Sequence, residues 1–138
     1  MTDQSLLRRV TAEIEALHAE FQRWFAGATD DFHRIRSSMA DDFTFVSPGG
    51  DVVDAGPLLA HLSAARGSRQ MRIRIENVTV RWAGDSAVIA TYEEWHDDTD
   101  HTTARQSTAL LTEDEAAPRG WLWRHVHETW KLPPPDDR

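Results

Sequence analysis

Apolar residues recur at spacings of three and four from the start of the chain: Leu6, Val10, Ile14, Leu17, Phe21 and Trp24. That spacing is the stripe of an amphipathic helix, and Leu7 and Phe25 widen it. Gly27 follows the last apolar pair and accepts the left-handed conformation that stops a helix. A second, shorter helix is predicted over DDFHRIRSSMA, residues 30–40, with Asp30 as its cap and Phe32, Ile35 and Met39 on one side. Phe43 and Phe45 then alternate with polar Thr44, the period of a half-buried strand, and Pro48, Gly49 and Gly50 read as a turn. Pro57 sits where the first turn of a helix tolerates it. The third helix, LLAHLSAAR, turns Leu58, Leu59 and Leu62 inward and stops at Gly67.

From Gln70 onward the period drops to two. Met71, Ile73 and Ile75 share one parity, whereas Val78, Val80 and Trp82 share the other. A change of parity inside one run is what a single extra residue produces, so a β-bulge is predicted near Glu76 and Asn77, and with it a bent strand. Three further strands follow: SAVIATYEEWHD after a turn at residues 83–85, TTARQSTALLT after DDTDH, and WLWRHVHETWKL after the acidic loop EDEAAPRG. The closing PPPDDR cannot continue a ladder. Helices followed by consecutive antiparallel strands make an α+β order. A strongly curved antiparallel sheet folded over the N-terminal helices gives a cone-shaped roll with a hollow inside. Residues 1–132 are expected to form one domain, and residues 133–138 a disordered tail.

Composition narrows the chemistry. The formal charge of −8, with Lys131 the only lysine, opposes nucleic acid and anionic lipid, so neither is an expected partner. Arg66, Arg69, Arg72 and Arg74 form a local exception, read as a solvated rim ahead of an anion-binding edge. Cysteine is absent, which removes disulfides and thiolate chemistry and fits a reducing compartment. No apolar run reaches the ~20 residues that span a bilayer, and MTDQSLLRRV lacks the apolar centre of a signal peptide. A cytoplasmic location is expected.

Four stretches carry a resemblance to a known family: the long first helix ending in RWFAGATD, then DDFTFVSPGG, then TYEEW with ARQSTALL, and finally WRHVHETW. Together they resemble the nuclear transport factor 2-like superfamily, in its SnoaL-like branch, which includes the domain-of-unknown-function 4440 proteins. The resemblance implies a cone-shaped α+β fold, a homodimer built through the sheet, and a pocket between the concave sheet face and the first helices. It also implies a choice of functions, because the superfamily holds isomerases, cyclases and dehydratases beside non-catalytic association domains; side chains in the pocket have to decide.

His125 and His127, two apart on a strand, share a face and raise the question of a metal. A competent site needs a third ligand, and His96, His101, Glu94 and Glu128 show no metal spacing, so no metal and no cofactor are expected. The default reading of both histidines is structural, with general acid–base catalysis the alternative. On a regular strand Trp123, His125, His127 and Thr129 lie on one face, and Arg124, Val126, Glu128 and Trp130 on the other; a bulge mixes the two sets. Tyr92 and Glu94 share a face of their strand, and a hydroxyl beside a carboxylate in an apolar pocket suits proton transfer. Arg105 is the candidate for a carboxylate ligand or for a buried ion pair with Glu94 or Glu128. His61 is read as a surface residue ahead of a pocket-mouth residue. The catalytic candidates are therefore Tyr92, Glu94, His125 and His127, and the ligand-binding candidates Trp24, Phe43, Arg105, Trp123 and Trp130. The preferred function is binding of a small organic molecule in an aromatic-lined pocket. The alternatives are a proton-transfer enzyme and a protein-interaction module using the exposed sheet face.

Overall fold

The computed structural model describes residues 3–135, so the last three residues of the expected tail lie outside the described residues. Nine elements follow one another: α1 (Asp3–Phe25), α2 (His33–Ser37), β1 (Met39–Val46), β2 (Val52–Asp54), α3 (Ala55–Ala64), β3 (Arg72–Ala83), β4 (Ala87–Asp97), β5 (Thr102–Glu113) and β6 (Trp121–Leu132). The strands form one unclosed, curved sheet in the order β2-β1-β6-β5-β4-β3. Its pairings are antiparallel except that of β1 with β6, which is parallel because the chain returns to the sheet centre only after the whole β3–β5 meander. The N-terminal helix packs on the concave face. Val10, Ile14, Leu17 and Trp24, the residues of its stripe, are buried there with Val88, Ala90, Leu111 and Trp123 of the strands.

The first helix stops as its sequence demands, with Gly27 at φ 74°. The Trp24 indole N–H donates to the Leu62 carbonyl at 2.7 Å, and the Gly67 N–H to the Trp24 carbonyl at 3.1 Å; both tie α3 to the end of α1. The second helix is shorter than its pattern predicts. Asp31 rather than Asp30 turns a carboxylate oxygen to the His33 N–H, and the helix ends at Ser37. Met39 and Ala40 leave it because β6 competes for them: the Trp123 N–H takes the Ser38 carbonyl at 2.8 Å, and Met39 pairs with Trp123. A one-turn helix cannot outweigh a strand pairing at the centre of a sheet. The short edge strand β2, at Val52–Asp54, has no periodicity long enough to announce it.

Bulges set the curvature and decide which side chains face inward. In β3 the pairing passes from Glu76–Glu93 to Thr79–Thr91, leaving Asn77 and Val78 opposite Tyr92. Asn77 lies at φ 57°, a conformation asparagine tolerates better than most residues, so the bulge falls where the parity change placed it. A second shift at Arg81 turns Trp82 to the outer face, 54% exposed, against the expectation that it shares a face with Val78 and Val80. There its ring lies over Gly84, where any side chain would collide with it. In β6 the pairs Leu110–His125 and Leu111–Trp123 leave Arg124 as the extra residue. Trp121 and Trp123 therefore point inward with Val126 and Glu128, and the regular alternation of this strand does not hold.

Candidate functional site

Between α1, α3 and the concave sheet face lies a chamber of about 250 Å³. Its walls are mostly apolar: Leu17, Phe21 and Phe25 from α1, Leu58 and Leu62 from α3, Phe43 and Phe45 from β1, and Trp123 and Val126 from β6. The exposed His61 and Arg69 mark its solvent side. Its inner end is polar, with His18 of α1, Tyr92, Glu94 and His96 of β4, Arg105 of β5 and Glu128 of β6. Strand alternation puts Tyr92, Glu94 and His96 on the inner face of β4 in succession. Register then sets Arg105 opposite Glu94, and Ser107 opposite both Tyr92 and Glu128.

The hydrogen bonds fix protons. His18 Nδ1 lies 2.7 Å from the Ile14 carbonyl, which only an N–H can satisfy, so that nitrogen carries a proton. Its Nε2 lies 3.0 Å from Glu94 Oε1. Glu94 Oε2 receives His96 Nε2 at 2.6 Å, and His96 Nδ1 then accepts from Arg105 Nη2 at 3.3 Å, which makes His96 the neutral Nε2–H tautomer. Burial opposes the His18 imidazolium, but the Glu94 charge, its hydrogen bond and the Ile14 carbonyl outweigh it, and the pKa lies above the usual histidine value. Burial opposes the Glu94 carboxylate too, yet the charge and hydrogen bond of His18 and the bond from His96 hold it well below the usual carboxylate range. His18 and Glu94 are thus an ion pair.

Glu128 behaves oppositely. Burial, and then the neighbouring Glu94 charge, push it well above the ordinary value, and Arg105 and the Ser107 hydrogen bond do not restore it. Arg105 Nη1 stands 3.8 Å from Glu128 Oε1, the buried ion pair that is one of the two readings of Arg105, at a separation too long for a hydrogen bond. Of these two neighbouring buried carboxyls, Glu94 is the one whose ionised form its partners favour, and Glu128 the one whose ionisation burial and the Glu94 charge oppose. Tyr92 is held protonated by burial and by the two carboxyls. Arg105 lies with its guanidinium 5.0 Å from the Trp130 ring centre, and its buried Nε has no hydrogen-bond partner.

Of the predicted residues, Tyr92, Glu94, Arg105, Phe43 and Trp123 border the chamber. Trp24 does not; it is buried and occupied with the α3 carbonyl. Trp130 lies under Arg105 rather than in the wall. His125 and His127 are turned to the outer face by the Arg124 bulge, where His125 meets Thr44 Oγ1 at 2.6 Å and the exposed His127 packs edge-on against it. They are remote from the chamber's polar end, which gives them no route to chemistry there. The arginine rim is consumed in part: Arg69 pairs with Asp98, Arg74 with Asp97 and Glu76, and Arg66 donates to the Thr29 and Gly27 carbonyls. Sequence reasoning missed His18, and it weighed His96 and Glu128 only as metal ligands, and Glu128 as a partner of Arg105, without placing them in the pocket. The signals were a histidine next to Leu17 in an apolar stripe and the Tyr92, Glu94, His96 alternation; Glu128 needed knowledge of the bulge.

Comparison with known proteins agrees with this architecture. Residues 12–132 match the family described as sucrose-6-phosphate phosphohydrolase C-terminal. No curated protein matches the sequence. Among solved structures, an NTF-2 like protein of unknown function from Pseudomonas aeruginosa superposes with a TM-score of 0.82 at 27% identity, over 88% of this chain and 98% of that one. The association domain of Caenorhabditis elegans CaMKII gives 0.72 at 16% identity, over 93% and 98% of the two chains. A ketosteroid isomerase-like protein from Erwinia carotovora atroseptica gives 0.64 at 15%, over 92% and 97%. The last two likenesses speak for the fold alone. The chain belongs to the sucrose-6-phosphate phosphohydrolase C-terminal family and carries the NTF2-like α+β cone.

Proposed function

We propose that this protein binds a small organic molecule in the chamber, apolar body against the aromatic walls and polar end toward Arg105. The observation that carries the reading is the chamber itself, with aromatic and aliphatic walls and one polar end formed by His18, Tyr92, Glu94, His96, Arg105 and Glu128. A volume of about 250 Å³ equals roughly eight water molecules at ~30 Å³ each, which favours a one-ring or short branched molecule over a multi-ring one. Benzyl alcohol, a ring bearing one oxygen, is expected to shift the Trp123 indole N–H resonance saturably, and Leu62→Trp, which fills the chamber, to abolish the shift. Perturbation confined to residues outside the chamber would sink the reading.

The second reading is a proton-transfer enzyme in the same chamber, favoured by the buried Tyr92 hydroxyl and the carboxyl pair beside it. Its weak point is Glu94, whose two oxygens are each taken by an imidazole, so a free base is not ready there. Within the superfamily we favour the SnoaL-like branch, on the four sequence stretches named above, with residues 1–132 as one domain, the remainder as a tail, and a cytoplasmic setting. Among the described residues no helix is long and apolar enough to cross a membrane. We further propose a homodimer through the outer sheet face, where Trp82 is exposed beside Ile89. Sedimentation showing a monomer at every concentration tested would overturn that part.

A further inference from the structure

A second space, a groove of about 510 Å³, lies outside the chamber between α1 and the first half of β3. His18 and Ile73 border both spaces and separate them. β3 is the last strand of the sheet, so one of its edges pairs with β4 and the other has no strand beside it. Gln22 Oε1 takes the Ile73 N–H at 2.8 Å from the α1 side, so Ile73 turns its backbone groups away from β4. In an antiparallel pair that orientation repeats at every second residue. Ile75 therefore presents an N–H and a C=O to the groove, and Ile73 a C=O, with no strand to take them. Beyond Glu76 the Asn77 bulge breaks the edge.

The groove is also polarised. His18 meets Glu94, the pairing partner of Ile75, and Gln22 meets Ile73, so α1 runs antiparallel to β3 here. That direction sets Arg23 and Arg72 at one end of the groove, and Glu15 and Glu76 at the end marked by the bulge. All four are exposed. Arg74, between the ends, is held by Asp97 and Glu76. A strand added antiparallel to β3, the more stable pairing, begins at Glu76 and ends at Arg72. Its amino terminus then falls at the acidic end and its carboxylate at the basic end.

We propose that the groove binds a short free peptide as an added antiparallel strand of β3, its carboxylate held by Arg23 and Arg72 and its amino group by Glu15 and Glu76. Residues 72–76 span about 14 Å at ~3.4 Å per residue, the length of roughly four peptide residues with both ends included. A longer chain has to leave the edge at the bulge, and an internal segment of a protein offers neither terminal charge. The Ile75 N–H and the carbonyls of Ile73 and Ile75 supply main-chain bonds that do not depend on the peptide's sequence. Selectivity comes from length and from free ends.

The test uses tetra-alanine, its N-acetylated form and its C-terminal amide, followed by backbone amide resonances and by amide hydrogen exchange. Tetra-alanine is expected to shift residues 72–76 saturably and to slow exchange at the Ile75 N–H, with the Trp123 indole of the chamber unmoved. Blocking either end is expected to weaken binding about threefold, the size of an exposed charge pair. The double variant Arg23→Gln, Arg72→Gln is expected to erase the difference between the free acid and its amide. Ala19→Trp, at an exposed helix position on the groove wall, is expected to abolish binding of all three; thermal melting confirms that each variant folds. No saturable binding, equal binding of the three peptides, or shifts without protection of Ile75 overturns the proposal. Protection of Ile75 that rises with protein concentration in the absence of peptide assigns the edge to a second copy, and overturns it as well.

Discussion

Replacing Glu13 by alanine is expected to remove about 3 kcal/mol of folding stability, the lower end of the cost of breaking a buried ion pair from one side. Glu13 sits in the apolar stripe of α1 at 2% exposure. Its Oε1 takes Arg119 Nε at 3.0 Å, and its Oε2 takes Arg119 Nη2 at 3.1 Å and Trp123 Nε1 at 2.9 Å. Without it the indole N–H of Trp123 is orphaned, and Arg119 keeps only Glu20 and Ser38. The loss belongs at the low end because Arg119 retains those partners and is only partly buried. For a chain of 138 residues this is a fall of roughly 10 °C in Tm. The proper contrast is Arg9→Ala, which breaks an ion pair exposed on both sides and is expected to cost less than about 1 kcal/mol. Urea unfolding of both variants checks the pair; equal losses would show that the buried carboxylate holds nothing that the exposed pair does not. The consequence reaches the chamber, because Glu13 orients Trp123, which forms part of its wall.

The second large effect is expected from Glu94→Gln. His18 then loses its counter-charge while its burial remains, so its pKa should fall from above the usual value to below it, and the imidazole should become neutral. About 3 kcal/mol is again at stake, the low end of the cost of breaking a buried ion pair from one side, and the pH dependence identifies the cause. Because His18 titrates higher folded than unfolded, its stabilisation is complete below the ordinary histidine value and is lost as pH rises through the raised one. Because Glu94 titrates lower folded than unfolded, its stabilisation is complete above the ordinary carboxylate value and is lost as pH falls through the depressed one. The two overlap between the carboxylate and histidine ranges, so the difference between the parent and Glu94→Gln should be greatest there and shrink on both sides. Glu128 acts in the other direction, costing the folded state stability as pH climbs from the ordinary carboxylate range toward its raised pKa. Denaturant unfolding across pH, with the His18 ring resonances as reporter, measures both effects. A deficit that is the same at every pH, with His18 unmoved, would mean that the substitution acts through packing alone.

The ion pair also explains how a conventional apolar stripe came to hold chemistry. Glu13 and His18 lie on the buried side of α1 with Ile14 and Leu17, and each is satisfied by a partner more than seventy residues away, Arg119 and Glu94. A helical period shows that such positions face inward, yet it says nothing of what they meet. On β4 the same limit appears in milder form. Alternation placed Tyr92 and Glu94 on one face and extends to His96, but the partner that makes Glu94 a bonded carboxylate rather than a free base comes from the helix.

What the sequence determined by itself was local and periodic: the long first helix and its glycine stop, the order of helices before strands, and the Asn77 bulge, because each follows from spacings of a few residues. The tertiary structure decided the rest. β6 claimed Met39 and shortened the second helix, since central strand pairing outweighs one helical turn. An extra residue at Arg124 turned His125 and His127 outward and Glu128 inward, since a single insertion in a ladder reverses every side chain beyond it. The protons on His18, Glu94 and Glu128 were settled last, because a buried group's charge depends on its neighbours in space, which no local pattern encodes.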